Sequence, residues 1–145
     1  MDWRSVAIND LRNYLCKKNG LANVDEQIKE LEESFLSPKS AHIGDFSGDG
    51  GEKHPDDRMV NNMVKRAKLA ASKKDVSSNI CAIEKALGEL SDEQKKVLWY
   101  FYIDRKDHYV ELLCGLLNVE RATVYRIKEA ALTRFTYACY GRVDL

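Results

Sequence analysis

The sequence predicts an all-α fold: an N-terminal helical hairpin, a linker, a long helix and then a helix-turn-helix. Three observations predict it. Proline is scarce, with 2 in 145 residues, and no apolar–polar alternation runs long enough for a strand. Apolar residues recur three and four apart through most of the chain. Two segments open with a capping-box pattern, an Asn or Ser followed three residues later by Glu or Gln.

The elements follow in order. Trp3, Ala7, Leu11, Tyr14 and Leu15 share one face of a first helix, expected to stop at the glycine of "KKNG", Gly20. Asn23 and Glu26 then cap a second helix, whose seam is Leu21, Val24, Ile28, Leu31 and Phe35. Together they form the expected hairpin over 1–36. A helix this short must bury such a seam, against the first helix, the later long helix or another chain. Self-association through these N-terminal helices is the expectation. Residues 37–54, rich in Gly, Ser and Asp, read as a flexible linker. Pro55, Asp56 and Asp57 suit the first turn of a long helix over 55–90, through Met59, Met63, Ala67, Ala70, Ile80, Ile83 and Leu87. A break or bend is expected near "SKKDVSSN".

Residues 91–145 carry the functional reading. Ser91 and Gln94 cap a helix with the stripe Val97, Leu98, Phe101 and Tyr102, and "IDRKDH" interrupts it. A short helix over about Tyr109–Leu117 follows. Asn118 tolerates the left-handed turn conformation, and a last helix starts near Arg121. Its inward residues are expected to be Val124, Ile127, Ala131, Phe135 and Ala138. This spacing meets the needs of a helix-turn-helix. Cys114 is small where the helices cross, Val119 is apolar after the turn, and Leu113 and Leu117 complete the core. The second helix is then free to enter a major groove.

Charge bounds the partners. The chain has no formal net charge, but its charges are segregated. Acids dominate from Asn23 to Asp57. Arg58, Lys65, Arg66, Lys68, Lys73 and Lys74 form a run that suits either a solvated helix face or a polyanion. Arg121, Arg126, Lys128, Arg134 and Arg142 face Glu129 alone in the last helix region. No stretch matches a membrane span, and the start lacks the apolar core of a signal peptide. The cysteines Cys16, Cys81, Cys114 and Cys139 form no CxxC pair and read as reduced and buried. His42, His54 and His108 lack metal-ligand spacing and read as loop or surface residues. "GDFSGDGG" neither follows a strand nor opens a helix, so it does not read as a phosphate cradle, and its spacing is not that of a Ca²⁺ loop. No enzyme, metal or cofactor is expected.

The segment "LSDEQKKVLWYFYIDRKDHYVELLCGLLNVERATVYRIKEAAL" resembles the region-4 helix-turn-helix of sigma-70-type factors. With its tail, "YRIKEAALTRFTYACYG", it is similar to small phage and prophage regulators of the ArpU and RinA types. Tyr125, Arg126, Lys128, Ala131, Leu132 and Phe135 match that ending. The resemblance covers about Leu90 to Gly141. It implies a transcriptional regulator of late genes, cytoplasmic in a bacterial host, with double-stranded DNA as partner and RNA polymerase as a further candidate. Nothing resembles a sigma region 2. A small-terminase-like DNA-packaging subunit and a polymerase-binding adaptor are the alternative readings.

Residue roles follow from side-chain chemistry. Arg121 and Arg126 suit bidentate bonding to guanine. Ala122 and the Tyr125 ring suit a thymine methyl, although Tyr125 also suits packing. Thr123, Lys128 and Arg134 suit phosphates. Glu129 either turns away from the groove or pairs with Arg126.

Overall fold

A computed structural model describes residues 2–36 and 55–143, and every regular element among them is helical. The expected 37–54 linker, with His42 and His54, lies outside the described residues, as does the Phe35 side chain.

The helices are α1 (Trp3–Leu36), α2 (Pro55–Gly88), α3 (Asp92–Leu98), α4 (Tyr109–Leu117) and α5 (Arg121–Tyr140). A π-helical turn, Trp99–Ile103, extends α3. The chain divides into two compact units. One joins Met1–Lys18 to Ser78–Leu145, and the other is Asn19–Ser77.

The hairpin expected over 1–36 is replaced by a single helix of 34 residues. A glycine stop at Gly20 would put it in the left-handed conformation, and among the described residues the positive-φ ones are His108, Asn118 and Gly141. The reason is the phase of the apolar pattern. Ala7, Tyr14, Leu21 and Ile28 recur every seven residues. One face therefore continues across Gly20. Retaining a mid-helix glycine costs only about 1 kcal/mol relative to alanine. No break falls at Ser72–Asn79 either, since α2 is helical throughout.

In the Asn19–Ser77 unit, the α1 seam of Leu21, Val24, Ile28 and Leu31 is half-buried while its neighbours are exposed. It faces α2 of the same chain. The Asn62 amide donates to the Leu31 carbonyl at 3.3 Å, and Lys73 pairs with Asp25. Packing on the long helix is one of the three alternatives the seam left open, and the seam stays half-buried there.

The other unit holds the core. Ala7, Leu11 and Tyr14 from α1 and Ile80, Ile83 and Ala86 from α2 are buried in it, with Val97, Leu98, Leu113, Val124, Leu132 and Phe135 from the later helices. Asp10 is buried too, at 8% exposure, and is compensated. It accepts from Lys17 Nζ at 3.0 Å and from the Tyr140 hydroxyl, while Lys17 also donates to Asn79 at 2.9 Å. Burial, and then the bond to Asp10, push the Tyr140 hydroxyl above the usual tyrosine range. The four cysteines are free thiols. Cys16 and Cys81 are exposed, contrary to the buried placement expected of all four, because they fall outside the buried stripes of α1 and α2.

Candidate functional site

The site is built from α3 upward. Ser91 Oγ accepts from the Gln94 amide at 3.3 Å, and Gln94 Oε1 accepts from the Ser91 amide at 3.3 Å. This is the expected capping box, and it sets where α3 begins. The helix then widens. The Asp104 amide donates to the Trp99 carbonyl at 2.8 Å, a bond spanning five residues. The extra residue per turn changes which side chains are buried. Val97, Leu98 and Phe101 are buried as expected, but Ile103 takes the place foreseen for Tyr102, which is half-buried.

Phe101 is the anchor. Its ring meets Tyr109 edge-on at 4.9 Å and Tyr125 edge-on at 5.8 Å. It clusters with Val97, Val110, Leu113 and Val124, and with half-buried Cys114, Leu117, Val119 and Ile127. These include the residues required at the helix crossing and after the turn. Asn118 adopts φ 53°, ψ 48°, and the Val119 amide donates back to the Cys114 carbonyl at 3.3 Å. Three residues therefore join α4 to α5. His108, also left-handed at φ 55°, is exposed ahead of α4.

On α5, Val124, Ala131, Leu132, Phe135 and Thr136 are buried. Ala138, expected inward, is exposed. The positions 124, 131 and 138 keep a strict seven-residue spacing, and a straight helix drifts ~20° per heptad. The buried face has moved to Leu132 and Thr136 by that point. Thr136 stays satisfied by donating to the Leu132 carbonyl at 2.6 Å.

The predicted contact residues divide into three groups. Arg121, Ala122, Arg126 and Arg134 are exposed, and Thr123 is partly so. Arg121 lies 3.9 Å from Glu111, with both side chains more than 60% exposed, so this pair is weak and readily exchanged. Among the described residues, Arg126 and Arg134 have no ion-pair partner. Tyr125 combines both readings left open for it, since its ring packs on Phe101 while 38% of the residue stays exposed.

Lys128 differs from expectation. Its side chain is only 18% exposed, with Nζ over the Phe101 ring at 5.6 Å and the Tyr125 ring at 5.4 Å. It also pairs with Glu129 at 3.0 Å. Two aromatic faces and a carboxylate hold this ammonium against the protein, not out toward a phosphate. Glu129 pairs with Lys128 and with Arg4 of α1, and not with Arg126. Hydrogen bonds from Lys128 and then Arg4 hold its carboxyl below the usual range.

Sequence reasoning missed three features here: the π turn, the Arg4–Glu129 pair and the Asp10–Tyr140 bond. The last two join residues more than a hundred positions apart, beyond any local pattern. Among the described residues, no helix is long and apolar enough to cross a membrane. Comparison with family models, curated proteins and solved structures finds no match to this chain.

Proposed function

We propose that this chain is a sequence-specific regulator that binds double-stranded DNA, with α4 and α5 as a helix-turn-helix and α5 as its recognition helix. The observation that carries this reading is the exposed face of α5. Ala122, Arg126 and Arg134 lie open on the side of α5 turned away from its buried Val124, Ala131 and Phe135, and Arg121 is exposed at its first turn. A left-handed Asn118 and a three-residue turn support it, since they leave the second helix of the pair accessible from outside. Arg121 and Arg126 read bases in this proposal, and Arg134 and Thr123 meet the backbone. Lys128 orients Tyr125 from beneath. The resemblance to ArpU- and RinA-type regulators suggests late-gene control in a phage or prophage.

The test is a titration of duplex DNA, selected from a random pool, at several salt concentrations. Affinity is expected to fall with a log–log slope of about −0.9 for each phosphate neutralised. Absence of binding at low salt, to selected and unselected duplexes alike, rejects the reading.

A further inference from the structure

Among the described residues of the Asn19–Ser77 unit, one surface of α2 has no partner. Four large apolar side chains of α2 are open to water: Met59 at 45% exposure, Val60 at 55%, Met63 at 55% and Val64 at 46%. They are not scattered. At about 100° per residue they share one side of α2 with Ala67, Ala70 and Ala71, which are also exposed. The side of α2 turned to α1 is a different one, made by the half-buried Asn62, Leu69 and Val76. The basic residues Arg58 and Lys65 lie along that α1-facing side and Lys68 at its edge, all away from the stripe. An apolar stripe of this length on an otherwise polar helix is an interaction surface.

The stripe is graded by size. Its first half is large and its second half is small. We propose that it pairs with the same stripe of a second copy of this chain, antiparallel, about a two-fold axis level with residue 65. That register sets Met59 against Ala71 of the other copy, Val60 against Ala70 and Met63 against Ala67. Met59, Val60 and Met63 then each meet an alanine, the large-to-small arrangement that fills an interface without overlap, while Val64 lies beside the axis opposite Arg66. A parallel pairing in register stacks Met63 on Met63 and leaves gaps at the alanines. Charge agrees with the antiparallel choice. Asp57 at one end of the stripe comes within one residue of Lys74 at the other, once on each side of the axis. A nucleic acid fits less well, because the stripe itself carries no cation before Lys74.

This dimer stands apart from the DNA-binding reading, because it is measured without nucleic acid. Sedimentation or light scattering of the full chain over a wide range of concentration is expected to show a monomer passing to a dimer. Met63→Glu is expected to weaken association by about tenfold or more, by placing a charge at the centre of the contact, with helical circular dichroism unchanged. Two compensating pairs test the register. Ala67→Met and Met63→Ala each weaken the dimer, and the double variant recovers it. Asp57→Lys weakens it, and Asp57→Lys with Lys74→Asp recovers it.

Several results overturn the proposal. One is a monomer at every concentration with Met59 and Met63 readily oxidised by peroxide. Another is a monomer with both methionines protected, meaning that the chain's own residues cover the stripe. A dimer indifferent to Met63→Glu places the contact elsewhere. Double variants that fail to recover association reject the antiparallel register. Stripe variants that lower DNA affinity while leaving the mass unchanged assign the face to nucleic acid.

Discussion

At the scale of single residues, exposure separates two cations that the sequence reading places in the same DNA contact. Arg126 and Lys128 are two positions apart on α5. Arg126 is exposed, while Lys128 is tucked over two aromatic rings. Arg126→Ala is therefore expected to cost about 1–3 kcal/mol on the preferred DNA site and to relax discrimination at one base pair. Lys128→Ala is expected to leave the salt dependence of binding nearly unchanged. Its effect falls on stability, because its stem and ammonium pack on Phe101 and Tyr125. Binding isotherms on the selected site and its single-base variants, beside thermal melts, measure both. A drop of about one unit in the salt slope for Lys128→Ala returns that residue to the phosphate backbone.

At the scale of elements, boundaries set by local chemistry were legible and those set by distant packing were not. Ser91 and Gln94 cap α3 with their own side chains, and Asn118 turns the chain by its own backbone preference. Both causes lie within a few residues and can be read there. Gly20 and the Asn23–Glu26 pair carry equally good local signals for a break, yet α1 passes through them. The seven-residue phase shared by both halves of α1 outweighs the glycine. The π turn has no sequence signature either, since it follows from fitting Phe101 and Ile103 into one core. The candidate face on α5 was legible because it is nearly continuous in sequence. Its support from Phe101 was not, because that depends on how α3 meets α5. A prediction follows at Gly20. Its backbone is helical, and an added Cβ meets nothing within 4 Å. Gly20→Ala is thus expected to stabilise α1 by about 0.5–1 kcal/mol, through lower chain entropy in the unfolded state. Amide exchange of the residues around position 20 reads that local gain. A loss of stability instead means that α1 needs its glycine to bend.

At the scale of the molecule, burial is uneven. Every deeply buried side chain among the described residues belongs to the unit of Met1–Lys18 and Ser78–Leu145. The Asn19–Ser77 unit contributes none, and its seam of Leu21, Val24, Ile28 and Leu31 is only half-covered. Protection against hydrogen exchange rises with the apolar contact that must be broken to open a segment. The slowest amides are therefore expected in α3 and in α5 from Val124 to Thr136, at rates set by global unfolding. Amides of 21–34 and 58–76 are expected to exchange by local opening, at a free energy well below the global value. The self-association proposed above adds a second signature. A partner that binds only the folded state of 58–76 slows its exchange by mass action. Protection there is expected to rise with protein concentration, while that of Val124–Thr136 stays constant. Met63→Glu removes the concentration dependence without touching the core. Equal protection across both units contradicts the picture of one well-packed unit and one two-helix unit whose packing the proposed second chain completes.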